Sequence, residues 1–298
     1  MESMRAVQQM QDYIKEHVAE DEFCAESVCA AAGYSRRHAD RLFREYLGMT
    51  ISEYINAVCV SKGAEDLLST RKSVLDLAFQ SHFQSPEGFS RSFQRRFHMT
   101  PMEYRKKQVA IPMFVQYPIS HYYTLLANKE DTVLSENVML CMVMEKERPK
   151  RKLIYLPSKK ATDYLSFCEE VGCEWEGLLN SIPEKFDTAA SIELPAFLVK
   201  EGQSKLAAGV EVPFDYDKPI PAGYQIAELE PCIMLYFQTE SYEDPADFGK
   251  AIGSAYAALE KYSLANFGNE FSYETAPCFN FGADTATGGR IAVPIVKK

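Results

Sequence analysis

The chain lacks the features that would place it in a membrane, in a disulfide scaffold or among the common hydrolases. No run in its 298 residues approaches the ~18 consecutive apolar residues of a membrane span, and Met1-Glu2-Ser3 opens no secretory signal. Its eight cysteines (24, 29, 59, 141, 168, 173, 232 and 278) form no C-x-x-C pair. They read as small thiols in a reducing compartment, not as a zinc or disulfide framework, and a cytoplasmic protein with no metal or cofactor is the expectation. Only five histidines occur (17, 38, 82, 98 and 121), so everything beyond residue 121 has no imidazole for acid–base work. No G-x-S-x-G, no H-E-x-x-H and no Gly-rich loop between a strand and a helix is present. Together these absences argue against an enzyme.

What is there is globular and uneven. With 46% hydrophobic and 25% charged residues, ordinary cores are expected, and the length suits two domains. A formal charge of −10 looks unsuited to nucleic acid until it is divided along the chain. Residues 1–108 carry 15 basic and 15 acidic side chains, leaving 17 and 27 of the totals of 32 and 42 to the remainder. The acidity belongs to the C-terminal part. In the first part the arginines crowd together at 36, 37, 41 and 44, and again at 91, 95 and 96, and local field is what draws a protein to phosphate.

Those two clusters are copies of one unit. At an offset of 50, Ser35 falls on Ser85, Arg41 on Arg91, Phe43 on Phe93, Met49-Thr50 on Met99-Thr100, and Glu53-Tyr54 on Glu103-Tyr104. Each copy opens with a serine suited to cap a helix, with Pro86 at the first helical position of the second copy. Each ends in T-x-x-E, a capping box. A repeated short helix, turn and basic helix is a helix-turn-helix written twice. The spacing predicts helices over 4–19, 27–32, 35–47, 51–69, 73–80, 85–97 and 101–107. The joining stretch 51–69 would span about 28 Å, near the ~34 Å between major grooves on one face of a duplex.

The text Val74 to Arg105, V-L-D-L-A-F-Q-S-H-F-Q-S-P-E-G-F-S-R-S-F-Q-R-R-F-H-M-T-P-M-E-Y-R, resembles the two-motif DNA-binding domain of the AraC/XylS transcription regulators, with His82 and His98 standing where that pattern has glycine. The resemblance covers about residues 4–108. It implies that Arg37, Asp40 and Arg41 of the first basic helix, and Pro86, Glu87 and Arg91 of the second, face the bases. Arginine suits guanine, and a carboxylate can accept from cytosine N4. Pro86 cannot read a base by hydrogen bond, so the second motif is expected to be the weaker reader. The full DNA-binding set is Arg36, Arg37, Asp40, Arg41, Arg44, Ser85, Glu87, Arg91, Arg95 and Arg96.

Residues 109–136 read as a linker, with a short docked helix near Tyr122–Asn128. From 137 the chain alternates strands (138–145, 152–156, 191–199, 207–212, 225–229, 233–239, 271–273, 278–281 and 290–296) with helices (162–179 and 245–263). That is an α+β domain of two strand–helix–strand–strand units, and the whole chain is a multidomain protein with an all-α first domain. The stretch Arg151 to Leu179 and the ending G-G-R-I-A-V-P-I-V-K resemble the GyrI-like effector-binding domain. That resemblance implies a small-molecule groove between two halves. Where the family commonly carries a glutamate in a late strand, Asn280 stands here. The expected ligand-binding set is Tyr164, Phe167, Trp175, Phe197, Tyr236, Tyr256, Phe279, Asn280 and Phe281. Trp175 leads it, and Glu174, Glu240 or Glu270 is a candidate for the missing carboxylate. An aromatic groove with few polar groups suits an apolar or aromatic ligand.

The expected function is therefore a transcription regulator that binds double-stranded DNA and a small effector, with RNA polymerase a further candidate partner and monomer or dimer both open. A hydrolase or other enzyme on the GyrI-like scaffold is the alternative.

Overall fold

The computed structural model describes residues 2–20, 23–120, 139–264 and 269–297, and divides the chain into two compact units, Met1–Tyr123 and Thr124–Lys298.

The first unit holds α1 (Glu2–His17), α2 (Ala25–Ala31), α3 (Arg36–Leu47), α4 (Ile51–Ser69), α5 (Val74–Gln80), α6 (Pro86–Phe97) and α7 (Pro101–Lys107). Two capping boxes form as the sequence implies. Thr50 Oγ1 accepts from the Glu53 N–H at 3.2 Å while the Glu53 carboxylate accepts from the Thr50 N–H at 2.8 Å, and Thr100 with Glu103 repeats both distances. Of the two serines, Ser85 caps α6 by accepting from the Gly88 N–H at 3.1 Å, whereas Ser35 holds the extended cap backbone without a side-chain cap bond.

α4 is the strut between two cores. Ile51, Tyr54, Val58 and Cys59 pack with α1, α2 and α3; Val60, Ala64 and Leu67 pack with α5, α6 and α7. Residues 57–61 are all buried, because this helix is covered on opposite sides at successive turns. Gly63 lies where α4 meets α6: a Cβ there would sit 2.7 Å from the Phe89 ring.

The two histidines in place of glycine keep the glycine backbone. His82 has φ 59° and His98 φ 56°, beside φ 71° at both Gly33 and Gly48 in the first copy. A left-handed residue other than glycine costs of the order of 1 kcal/mol. At His82 a side-chain bond offsets this: the imidazole Nε2 donates to the Val18 carbonyl at 2.6 Å, tying the second turn to the chain just after α1.

The stretch assigned to a linker starts as packed chain. Ile111 and Ile119 are buried in the two helical cores. The Phe114 N–H donates to Ser61 Oγ (2.7 Å), and the Gln11 amide accepts from the Ile119 N–H and donates to the Tyr117 carbonyl, both at 2.9 Å. A buried amide satisfied by main chain fixes that chain in place, so 109–120 extends the helical unit. The helix expected near Tyr122–Asn128 lies outside the described residues.

The second unit is built from β1 (Cys141–Arg148), β2 (Arg151–Pro157), α8 (Tyr164–Val171), α9 (Glu174–Asn180), β3 (Ala190–Glu193), β4 (Leu206–Pro213), β5 (Gln225–Leu229), β6 (Cys232–Thr239), α10 (Phe248–Lys261), β7 (Asn269–Phe271), β8 (Cys278–Asp284) and β9 (Gly288–Lys297). All pairings are antiparallel, in the order β1-β6-β9-β8-β3-β4-β2-β5 with β7 on β9. Four expectations change, one being the strand expected over 271–273, which runs from 269 to 271. The single helix over 162–179 is two, because Gly172 (φ 77°) ends α8. The strand expected over 191–199 stops at Glu193; Pro195 has no N–H for the ladder, and a 3-10 turn follows at Ala196–Leu198. The first strand runs from 141 to 148, not from 138 to 145.

Alternation along the strands gives the sheet two faces. α10 packs with Leu235, Phe237, Ile291, Val293 and Ile295 on one. The other carries Leu153, Tyr155, Ile192, Met234, Tyr236, Phe279 and Ala292. β1 and β4 are five places apart, which would be about 24 Å in a flat sheet. Yet Arg148 of β1 stands 3.4 Å from Glu211 of β4, so the sheet curls strongly around this second face.

Candidate functional site

Among the residues expected to touch DNA, the structure separates open side chains from engaged ones. Arg37, Arg41 and Arg44 on α3, and Glu87, Arg91 and Arg95 on α6, are exposed. Ala39, Leu42 and Phe43 turn the opposite face of α3 into its core, as Phe89, Phe93 and Phe97 do for α6. Arg36 is engaged differently. Its guanidinium reaches Asp40 (3.2 Å), Glu26 (3.5 Å) and Ser52 (2.6 Å), while Asp40 also accepts from the Ile51 N–H at 3.1 Å. Arg36 and Asp40 thus join α3 to the start of α4. Arg96 lies with its guanidinium 5.3 Å from the Phe114 ring, a cation–π contact with the chain that follows the helices. Ser85 is used as a cap. The open arginines remain a cationic surface on two helices at opposite ends of one strut. His38, stacked 4.6 Å from Tyr34 at the first turn, joins this surface and was not expected from the sequence.

The expected ligand residues do not converge. Strand alternation divides Phe279, Asn280 and Phe281. Phe279 and Phe281 stack with ring centroids 5.6 Å apart on the inner face, and Tyr236 stacks on Phe281 at 5.9 Å. Asn280 points to the helix-bearing face, where it shares a hydrogen bond with Tyr256 of α10 and accepts from the Gly282 N–H at 2.9 Å. Trp175 is core: 4% exposed, it meets the Phe167 ring edge-on at 6.2 Å. Tyr164 is half-buried at the start of α8, and Phe197 is exposed on its 3-10 turn. Of the carboxylates considered, Glu174, Glu240 and Glu270 are all exposed. Glu240 accepts from the Leu140 N–H at 3.2 Å.

A different carboxylate, Glu193, accompanies Asn280. β3 pairs with β8 so that Ser191 faces Asn280 and Glu193 faces Cys278. The Tyr256 hydroxyl is pushed up by burial, with smaller upward contributions from Cys278 and Glu193. The Cys278 thiol is pushed up to about 12, by burial and then by Glu193. Asn280, Tyr256 and Glu193 therefore share one neighbourhood above the two central strands. Only the β3–β8 pairing makes Glu193 visible.

The inner face carries a charge network that the sequence reading also missed. Arg151, fully buried, pairs with Glu211 at 2.5 Å and donates to the Glu230 carbonyl at 3.0 Å. Arg148 reaches Glu211, Asp187 (3.5 Å) and the Tyr236 hydroxyl, and Arg290 holds Asp187 at 2.7 Å. These bonds draw the two ends of the sheet together. A shallow hollow lined by Ser241, Tyr242, Glu243, Thr285 and Ala286 contains none of the expected aromatics. Among the described residues no cluster suits a metal ion, and no helix is long and apolar enough to cross a membrane.

A family profile described as a helix-turn-helix domain matches residues 28–107. The transcriptional regulator Rob of Salmonella typhimurium is 41% identical over 81 residues, which are 27% of this chain and 28% of that protein. The TetD protein of transposon Tn10 from Escherichia coli is 33% identical over 94 residues, covering 32% of this chain and 68% of its own length. Among solved structures, a transcriptional regulator of the AraC-type DNA-binding class from Chromobacterium violaceum is 26% identical, with a TM-score of 0.33, over 35% of this chain and 93% of its own. The chain thus spans little more than a quarter of the length of Rob.

Proposed function

The chain belongs to the AraC/XylS family of helix-turn-helix proteins, and from that membership we propose that it is a sequence-specific, DNA-binding transcription regulator whose second unit senses a small molecule. The observation that carries the DNA reading is α4. One continuous helix of 19 residues holds a basic recognition helix in each of the two cores it joins, over a length of about 28 Å. That spacing suits two successive major grooves, so a single chain can occupy two half-sites. Rob and MtrA, which match this chain, are both named as transcriptional regulators. Arg37, Arg41, Arg44, Arg91 and Arg95 form the contact set; Arg36, Asp40 and Arg96 support it from behind.

For the sensing unit, the resemblance to GyrI-like domains is supported by the strand order. It reads β6-β9-β8 from one side of the centre and β2-β4-β3 from the other, as two copies of one unit would. The ligand neighbourhood is the surface above β3 and β8 near Asn280, Tyr256 and Glu193, and an apolar or aromatic molecule with one polar or cationic group is its match. Binding there regulates DNA affinity only through a difference in affinity for two states of the protein.

The test is selection of duplexes from a random-sequence pool, followed by salt titration on the enriched site and on its scrambled version. A steep salt slope, with preference for the enriched site of about a thousandfold, is expected. Arg41→Ala should weaken specific binding by ~1–3 kcal/mol. No enriched motif, or equal binding to both duplexes at every salt concentration, overturns the DNA reading.

A further inference from the structure

All eight cysteines carry thiols, and Cys168 and Cys173 stand on either side of one turn. Cys168 lies in the last turn of α8, and its carbonyl accepts from the Gly172 N–H at 2.9 Å. Gly172 then turns the chain with φ 77°, which brings Cys173, directly before α9, back against the end of α8. The Cys168 and Cys173 side chains are hydrogen-bonded to each other, and the Tyr164 hydroxyl is hydrogen-bonded to Cys168 in turn. Cys173 is exposed and Cys168 half-buried, so one sulfur meets solvent while the other stands behind it.

We propose that Cys168 and Cys173 form a reversible dithiol–disulfide site, oxidised by a hydroperoxide and resolved within the α8–α9 joint. The roles follow from exposure, since Cys173 is the open residue and Cys168 the half-buried one behind it. Cys168 donates to Cys173 and thereby favours the Cys173 thiolate, against burial and the nearby Glu176; Tyr164 donates to Cys168. A thiolate is the nucleophile in such chemistry. Cys173 Sγ forms a bond to the terminal peroxide oxygen, the O–O bond breaks, and the alkoxide leaves and takes a proton to become an alcohol. Cys173 is then a sulfenic acid. Cys168 Sγ attacks it, the S–O bond breaks, and the hydroxide departs with the Cys168 proton as water. Two thiols are oxidised by two electrons, and one hydroperoxide is reduced to alcohol and water. Closing from hydrogen-bond reach to the ~2.05 Å of a disulfide needs a small shift, and Gly172 between the two helices is the flexible point that allows it.

The same five-residue spacing recurs at Cys24 and Cys29, but Cys29 is buried in the helical core, which makes that pair the internal control. Trp175, two residues past Cys173 and the only tryptophan in the chain, is the built-in reporter.

The full chain would be titrated with tert-butyl hydroperoxide and followed by thiol count, tryptic mapping and tryptophan emission. Expected are a loss of two thiols, a Cys168–Cys173 disulfide seen as the loss of two hydrogens from the one tryptic peptide that holds both cysteines, a change in emission and reversal by dithiothreitol. Cys24→Ser should behave as the parent. Cys173→Ser should abolish the emission change, and Cys168→Ser should leave a sulfenic acid at Cys173 that dimedone captures. Oxidation that reaches Cys24 first, or a Cys173 sulfenic or sulfinic acid without cross-link in the parent chain, overturns the proposal. None of these readouts uses DNA, so their failure is distinct from failure of the regulator reading.

Discussion

Replacing Gly63 by alanine sets two effects of known sign against each other. In the interior of a helix, alanine is favoured over glycine by about 0.8–1 kcal/mol. At Gly63, however, the new methyl would stand 2.7 and 2.8 Å from two carbons of the Phe89 ring and 3.2 Å from Ser81 Oγ. The ring cannot swing aside. Phe89 is fully buried between Phe83, edge-on at 5.3 Å, and Phe93 at 5.7 Å. Forcing a methyl into such a core costs about 1–3 kcal/mol. The net is a destabilisation of about 1 kcal/mol, roughly 4 °C in melting temperature for a unit of this size, and α6 displaced from α4. Gly253 in α10 is the counterpart: a Cβ there meets nothing within 4 Å, so Gly253→Ala should stabilise by up to about 1 kcal/mol. Melting followed by circular dichroism, with duplex affinity measured in parallel, checks both. A Gly63→Ala protein that melts higher than the parent by the propensity increment alone would refute the close packing of α6 on α4.

Two further outcomes are expected. Glu211→Gln leaves the buried Arg151 guanidinium without its carboxylate and removes a partner of Arg148. Breaking such a pair costs about 3–5 kcal/mol, so thermal unfolding followed by Trp175 emission should shift strongly downwards, and a change below ~1 kcal/mol would count against a stabilising network. The second concerns acid. Glu53 and Glu103 are held below the ordinary carboxylate value by the Thr50 and Thr100 N–H groups and then by the threonine hydroxyls. A carboxylate with a depressed folded value binds fewer protons folded than unfolded. Its contribution is therefore present above the ordinary value of 4.5 and is lost as pH falls through the folded value. The double variant Glu53→Gln/Glu103→Gln, which removes the two titrating carboxylates, should lose helix stability at neutral pH and show a shallower further loss between neutrality and strong acid. An acid limb unchanged from the parent would refute the caps as its source.

Much of the first unit could be read from its residues, because its determinants are local. A threonine three residues before a glutamate caps a helix wherever it stands, and Ala39, Leu42 and Phe43 share one helix face by periodicity alone. The repeat at offset 50 then placed the second motif from the first. Periodicity left one matter undecided: which arginines are open. Arg36 and Arg37 are neighbours in sequence, yet Arg36 meets Asp40, Glu26 and Ser52 while Arg37 faces solvent. That outcome depends on α2 and α4 arriving beside α3. In the second unit the strands and their order along the chain were legible, but not their partners. Phe279 and Asn280 part company because a strand turns successive side chains to opposite faces. Glu193 joins Asn280 because β3 pairs with β8 across some 85 residues of chain. Arg148 meets Glu211 because the sheet curls. Local propensity carries no information about any of these three; the long-range pairing of strands decides them.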